Sequence, residues 1–272
     1  MGTAAPTADF VAIAREVALL DAAERACACL SDAGLDVAVF KGSALAGWCY
    51  PPGGRPMQDV DLLIRPRDRR RAVAALLAAG YQRVPRPHSP TGMWLHPTLD
   101  WLGPTGALVD VHVGIGAWLR FRPDLDGILD RAVPAPEVGP RARRPAIADL
   151  VVLHALDVAK DDGRCKPTAD DDLRALLRAG VLDWTAIARR ARRAGCAGTL
   201  WARMVAVGAA LPAEIAALRP GPAKRWLLAH ADTRGRLLAG AAQHDRLRDY
   251  VAATAFYAVR SGVDRLLRTT SR

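Results

Sequence analysis

Every segment with the short apolar runs or the alternation of a β-strand lies before residue 114 of this 272-residue chain. From residue 147 onward, apolar side chains recur only at the three-to-four-residue spacing that is typical of helices. A stretch rich in proline and arginine, residues 133–146, lies between the two regions. This arrangement predicts an α+β fold with an α/β domain at 1–132, a linker or surface loop at 133–146 and an all-helical domain at 147–272.

Local patterns predict the order of elements within this frame. The predicted strands are 36–40, 58–64, 81–84, 93–96, 99–102 and 107–113. The predicted helices are about 8–33, 44–49, 66–80, 147–160, 169–179, 183–194, 197–210, 213–218 and, with breaks, 222–267. The turn residues at 103–106 predict that the last two strands form a hairpin.

Composition excludes several classes of protein. No apolar run is long enough to cross a membrane, and the N-terminus lacks the basic and apolar regions of a secretory signal. The five cysteines are odd in number and form no CxxC pair, so we expect neither a disulfide framework nor a structural zinc site. We therefore expect a cytoplasmic protein that has no contact with a membrane.

The formal net charge is +10, and nearly all of the positive charge comes from arginine. A basic surface can attract nucleotides, nucleic acid or acidic substrates. The charge can equally reflect the codon composition of the source, because the basic residues are dispersed rather than gathered in one block. Both interpretations stay open at this point.

Gly42-Ser43 directly follows the apolar strand at 36–40. A glycine at this position permits close approach of the backbone to a phosphate, and the start of the following helix offers N–H donors to an anion. Many strand-to-helix turns contain Gly-Ser, so this feature alone does not identify a binding site.

The pair Asp59-Val60-Asp61 begins a partly buried strand. Residues i and i+2 of a strand point to the same face, so both carboxylates are expected on one side. Like charges at this spacing are unfavourable unless a cation neutralises them, and Mg²⁺ binds carboxylate oxygens alongside substrate phosphates.

Asp110 lies at the centre of the apolar strand Ala-Leu-Val-Asp-Val-His-Val, and His112 shares its face. A carboxylate in such a strand is explained either by a buried hydrogen-bond partner or by a functional site. Two strands that contribute Asp59, Asp61 and Asp110 suit phosphoryl transfer with two metal ions. His112 could act as a general base, orient Asp110 or a phosphate, or simply pack in the strand.

Gly42-Ser43, the Asp59-x-Asp61 pair and Asp110 together resemble the three motifs of the DNA polymerase β-like nucleotidyltransferase superfamily. More narrowly, residues 40–43, Tyr50, Arg55, 59–64 and 110–112 resemble the uncharacterised nucleotidyltransferase family within it, over about residues 10–215. This resemblance implies a mixed sheet flanked by helices that binds an NTP with Mg²⁺.

The resemblance also implies roles for individual residues. Asp59 and Asp61 would hold two Mg²⁺ ions and Asp110 the catalytic one, while Gly42 and Ser43 would cradle the triphosphate. Lys41 stands where the superfamily usually has an apolar residue. Lys41 and Arg55 could each contact a phosphate, or each could be a solvated side chain.

Other polar residues fit structural interpretations better. Residues 170–172, three consecutive aspartates, follow Pro167-Thr168 and read as the first turn of a helix, where acids suit the helix dipole. His154 lies on an apolar helical face, which favours a packed core histidine with its hydrogen bonds satisfied.

These patterns favour an enzyme that moves a nucleoside monophosphate from an NTP to a hydroxyl or phosphate group of a small molecule or peptide, bound between the two domains. An RNA-modifying or toxin-type transferase is an alternative, as is transfer of a phosphosugar-type group. A nucleotide-binding module without activity is a third, although three retained carboxylates count against it.

Overall fold

In the computed structural model, the chain forms a five-stranded mixed sheet with flanking helices, followed by a cluster of helices. The structure describes residues 10–84, 98–115, 121–161, 165–229, 243–245, 248–249, 251–252 and 254–255. This architecture confirms the predicted α+β fold class. The strand predicted at 93–96, and most of the helical stretch predicted beyond residue 229, lie outside the described residues.

The predicted elements that fall on described residues follow the predicted order, and the elements Leu125–Asp130, Val133–Pro134 and Arg143–Arg144 were not predicted. The strands are β1 (Val37–Phe40), β2 (Val60–Ile64), β3 (Gln82–Arg83), β4 (Thr98–Leu102), β5 (Leu108–His112), β6 (Val133–Pro134) and β7 (Arg143–Arg144). The helices are α1 (Phe10–Asp32), α2 (Gly42–Leu45), α3 (Arg69–Ala78), α4 (Leu125–Asp130), α5 (Ile147–Lys160), α6 (Ala169–Arg178), α7 (Trp184–Ala194), α8 (Ala197–Ala206), α9 (Ala213–Ala216) and α10 (Pro222–Ala229). A 3₁₀ turn, Pro66–Asp68, leads into α3.

The strand order in the large sheet is β1-β2-β5-β4-β3. β2 is antiparallel to β1 and parallel to β5, while β4 is antiparallel to both β5 and β3. The β4–β5 hairpin therefore returns the chain to the centre of the sheet and places β5 directly beside β2.

Helix α1 covers the sheet because its apolar side chains recur on one face. Leu19, Ala23, Ala26 and Leu30 are buried, and the helix packs on β1, β2 and α3. It ends just before Gly34, which adopts the left-handed φ of 71° that glycine tolerates best.

Helix α5 is the centre of the helical part. It is buried on nearly all sides and packs against α6, α7 and α8. Helix α7 starts where the Asp183 side chain accepts a hydrogen bond from the Ala186 amide at 2.8 Å, and ends at Gly195 with a φ of 84°. Among the described residues, no helix has both the length and the apolar character needed to cross a membrane.

Residues 133–146, predicted as a linker or surface loop, form a two-stranded ribbon of β6 and β7. β7 lies against β1, and Ala135 and Ala142 between the two short strands are buried in the main apolar cluster. The high proline and arginine content therefore does not mark an extended connection here. The division into domains 1–132 and 147–272 stays a prediction.

Candidate active site

Three carboxylates lie in one row across adjacent strands of the sheet. Asp61 on β2 is in register with Asp110 on β5, and Asp110 is in register with Asp100 on β4. Residues in register point to the same face of a sheet. One oxygen of Asp61, one oxygen of Asp110 and one nitrogen of His112 all lie within 4.8 Å of one another.

Asp59 occupies a different position from the one expected. β2 begins at Val60 rather than Gln58, so Asp59 lies in a bend just before the strand. Its side chain is partly buried, and burial together with the Asp61 charge raises the pKa of Asp59 above its usual range. Asp59 borders the cluster of Asp61, Asp110 and His112 without being one of its closest members.

Lys41 places its ammonium group on the edge of this cluster. Its Nζ is 2.5 Å from Asp61 Oδ1, 3.4 Å from His112 Nε2 and 4.0 Å from Asp157 Oδ1. The Lys41 backbone has a φ of 52°, the one positive φ of a non-glycine residue in the part of the chain that the structure describes. Such backbone strain costs about 1–3 kcal/mol and is often retained at functional sites.

His112 is buried and has a partner at each ring nitrogen. Nε2 lies 2.9 Å from Asp61 Oδ1, and Nδ1 lies 3.2 Å from Thr98 Oγ1. Burial and the neighbouring Lys41 ammonium lower the pKa of His112 to about 4, although Asp61 opposes the change. A neutral imidazole protonated on Nε2 donates to Asp61 and accepts from the Thr98 hydroxyl, so both nitrogens are satisfied.

The acids of the row differ in protonation. Burial alone would raise the pKa of Asp61, but the His112 hydrogen bond and the Lys41 ammonium lower it well below its usual range. Burial and the charges of Asp100, Asp61 and Asp59 raise the pKa of Asp110 to about 7. Negative charge around Asp110 is therefore only partly compensated, and this donor set of carboxylate oxygens fits a divalent cation.

Gly42 and Ser43 lie at the start of α2, beside the row. A Cβ on Gly42 would come within 2.5 Å of Arg55 Nη1 and 3.1 Å of Met57 Cγ, so a larger residue would displace the Arg55 guanidinium from this position. Ser43 Oγ is buried and has no hydrogen-bond partner among the described residues. An oxygen or nitrogen of a bound ligand could satisfy this hydroxyl.

Arg55 reaches across to the helical part of the chain. Its Nε and Nη2 donate to the two carboxylate oxygens of Asp172 at 3.1 and 2.8 Å, and the Tyr50 hydroxyl donates to Asp172 Oδ1 at 2.8 Å. Arg55 is thus held in a bidentate ion pair, which excludes the interpretation of Arg55 as a solvated side chain.

A cleft of about 480 Å³ separates the sheet from α5 and α6. Lys41, Gly42, Asp59 and Asp61 line one wall. The other wall is formed by side chains of the two helices and of the segment before α6, including His154, Asp157, Lys166, Thr168 and Asp172. The row of acids therefore borders a cavity of the size that binds small molecules.

The sequence analysis assigned no role in the site to four residues of this region. Asp100 lies beside Asp110, Asp157 beside Lys41, and Asp172 beside Arg55. His154 is packed as predicted, and its buried Nε2 has no hydrogen-bond partner among the described residues. Strand alternation could have indicated Asp100; the other three depend on how the two parts of the chain pack.

Comparison with known families gives a match over most of the chain. A family model described as "Uncharacterised nucleotidyltransferase" covers residues 7–211, which include the sheet, the row of acids and helices α5 to α8. A search of curated proteins returns no match.

Proposed function

This chain belongs to the uncharacterised nucleotidyltransferase family, and from that premise we propose that it is a Mg²⁺-dependent enzyme that transfers a nucleoside monophosphate from an NTP to an acceptor. The observation that carries the proposal is the register of Asp61 with Asp110 on neighbouring parallel strands, at the border of a cleft. Carboxylates in this arrangement suit a site that binds divalent cations together with phosphate oxygens.

We assign metal binding to Asp59, Asp61 and Asp110. Two bound Mg²⁺ ions would lower the pKa of the acceptor hydroxyl and neutralise charge on the departing pyrophosphate. Asp61 and Asp110 lie side by side on one face of the β2–β5 pair, and Asp59 precedes them in the bend before β2. The chain's own contribution is to hold these carboxylates and the substrates in position.

Lys41, Ser43 and Arg55 are assigned to the triphosphate. Lys41 neutralises Asp61 through its 2.5 Å contact, and its ammonium could turn from Asp61 to a phosphate oxygen when cations take over that carboxylate. Ser43 Oγ offers a buried hydroxyl without a partner among the described residues, and Arg55 lies over Gly42.

We assign His112 to the positioning of Asp61 rather than to proton transfer. Its Nε2 and Nδ1 are occupied by Asp61 and Thr98, which holds the ring in place. Burial also favours the neutral imidazole, and a ring whose pKa is lowered to about 4 is a weak base near neutral pH.

The acceptor is proposed to enter at the outer end of the cleft, where Asp161 and Lys166 are exposed. A small molecule or a peptide side chain fits a cleft of about 480 Å³ better than an RNA helix does. Pyrophosphate release that requires an added hydroxyl acceptor is the expected activity. An Asp161→Arg variant should raise the acceptor KM and leave NTP affinity unchanged; an unchanged acceptor KM would remove this assignment.

NTP binding should depend strongly on a divalent ion, because acids at the site repel the triphosphate. In calorimetric titrations, we expect the affinity for at least one NTP to fall by about tenfold or more, or 1.4 kcal/mol, when Mg²⁺ is replaced by EDTA. Asp61→Asn should reduce this difference, whereas Asp171→Asn, which changes an exposed acid at the start of α6, should not. Equal affinity of the wild-type protein in Mg²⁺ and in EDTA would contradict the metal site.

A further inference from the structure

The inner end of the cleft is apolar on both sides. Leu45 and Met57 line it from the strand side, and Leu150, Leu153 and Leu176 line it from α5 and α6. All five side chains are buried by the folded chain and still border the cavity. This end of the cleft therefore favours an uncharged group with apolar faces.

One polar atom in this apolar end lacks a partner. His154 lines the cleft, and its buried Nε2 makes no hydrogen bond to any residue that the structure describes. A ring without a protein partner favours a ligand that can hydrogen-bond the partly exposed side of the imidazole that borders the cleft. His112, in contrast, is within hydrogen-bonding distance of a protein group at each of its nitrogens.

Charged groups near His154 are already paired. Arg55 and Asp172 form their bidentate ion pair with side chains only 13% and 10% exposed. Burial lowers the pKa of His154 to about 4, despite the nearby Asp172 and Asp157, so the imidazole is neutral near pH 7. Among the described residues, the Arg55 and Asp172 charges beside His154 are thus paired with each other, and the imidazole is a neutral hydrogen-bonding group.

The position of His154 relative to the acids sets the length of the ligand. His154 lies one helical turn before Asp157 on α5, and Asp157 Oδ1 is 4.0 Å from the Lys41 Nζ that contacts Asp61. The imidazole is therefore on the order of 10 Å from the metal-binding carboxylates. This span matches the reach from the α-phosphate of a nucleotide to the hydrogen-bonding edge of its base.

We propose that the inner end of the cleft binds the nucleobase of the NTP, and that His154 hydrogen-bonds the edge of that base and sets which NTP is preferred. This inference rests on the proposed nucleotidyl transfer. A base is flat and uncharged, so its faces can pack against the leucines while its edge pairs with the imidazole. The acceptor would then occupy the outer end.

The test separates base recognition from phosphate recognition. Affinities for the four NTPs and for inorganic tripolyphosphate, which has no base, are measured by calorimetry in Mg²⁺. His154→Leu should weaken the preferred NTP by about tenfold and bring the four NTPs within a few fold of each other, because one buried hydrogen bond is lost. Tripolyphosphate affinity should stay unchanged, and His154→Gln should retain part of the preference.

His244→Gln is the matched control. His244 is also buried, but its ring stacks on Phe121 with centroids 4.6 Å apart, and it does not line the cleft. This variant can lose stability and should keep the NTP preference.

Three results would overturn the inference while the proposed function stands. The first is an equal loss of affinity for tripolyphosphate and for the NTPs in His154→Leu. The second is an unchanged affinity for the NTPs in that variant. The third is a wild-type protein that binds tripolyphosphate and every NTP with the same affinity. A wild-type protein that binds neither tripolyphosphate nor any NTP in Mg²⁺ would overturn the proposed function as well.

Discussion

At the scale of single residues, Asp110 is a carboxylate whose ionised form is opposed by its surroundings. It lies between Asp61 on one neighbouring strand and Asp100 on the other, and no cation in the described part of the chain contacts it as closely as Lys41 contacts Asp61. Burial and these neighbouring carboxylates raise the pKa of Asp110 to about 7, far above its value of 3.8 in an unfolded chain. The ionised form of Asp110 therefore destabilises the metal-free fold.

The sign of the pH dependence follows from this difference. Between about pH 4 and 7 the folded protein keeps a proton on Asp110 that the unfolded chain releases, so stability falls as pH rises through this window. Asp110→Asn should therefore stabilise the metal-free protein at pH 8 and have little effect at pH 4. Solvent screens this partly exposed carboxylate, so we expect a gain on the order of 1 kcal/mol, or about 2–4 °C in Tm.

Thermal unfolding in EDTA at several pH values measures this effect. Asp21→Asn is the control, because Asp21 is an exposed acid paired with Arg25 on the surface of α1. A loss of stability in Asp110→Asn at pH 8 would show that the fold stabilises the ionised Asp110 side chain rather than destabilising it.

The sequence indicated Asp61 and Asp110 as candidates because acids in apolar strands are unusual and because strand alternation is a local property. It did not reveal that Lys41 contacts Asp61, or that Asp100 completes the row. Both depend on strand register between segments far apart in the chain, which local periodicity does not encode.

At the scale of elements, the segment between α2 and β2 is attached to the start of α6. Arg55 donates two hydrogen bonds to Asp172, and Tyr50 donates a third to the same carboxylate. The aspartates at 170–172 do lie in the first turn of α6, as predicted from their place after Pro167-Thr168. Asp172 nevertheless has two partners, Arg55 and Tyr50, that lie 117 and 122 residues earlier in the chain and that no pattern within the helix indicates.

Breaking this ion pair should be costly because both side chains are largely buried. Asp172→Asn leaves the Arg55 guanidinium without its carboxylate, and we expect a loss of about 2–4 kcal/mol in the free energy of unfolding. Asp171→Asn provides the control, since Asp171 is exposed and, within the described part of the chain, pairs with Arg174 on its own helix; it should change stability by less than about 0.5 kcal/mol.

Urea denaturation of Arg55→Met, Asp172→Asn and the double variant measures the coupling between the two residues. We expect a coupling energy of about 1–3 kcal/mol. Additive single effects would mean that the segment and α6 are held together by other contacts.

Local sequence patterns predicted most of the helices and strands, but they did not predict where these elements begin and end. The helix expected at 44–49 is α2 at Gly42–Leu45, and the strand expected from Gln58 starts at Val60. In both places the chain passes the acids and Arg55, so contacts with distant residues, rather than local preference, decide where the element begins or ends. The hairpin of β4 and β5 was predictable because its turn at 103–106 is a local signal.

At the scale of the whole molecule, the hydrophobic core is continuous between the strand and helical parts. Val39 and Leu62 of the sheet belong to the same cluster of buried side chains as Leu156 of α5 and Ile187 of α7. The ribbon at 133–146 contributes to this cluster as well, through Ala135 and Ala142. A composition rich in proline and arginine could not show this, because the burial comes from small alanines between those residues.

A shared core implies that the two parts unfold together. We expect a single calorimetric transition for the full chain in EDTA, with equal calorimetric and van't Hoff enthalpies. The fragment 1–132, which follows the predicted domain boundary, should remain unfolded by circular dichroism. It lacks β7, which lies against β1, and the helices α5 and α6, whose leucines cover the inner end of the cleft.

Two resolved transitions, or a fragment 1–132 that folds cooperatively, would instead support independent domains joined through the ribbon. Since the row of acids lies on the sheet and His154 lies on α5, independent unfolding would also mean that the cleft can open without loss of the row of carboxylates.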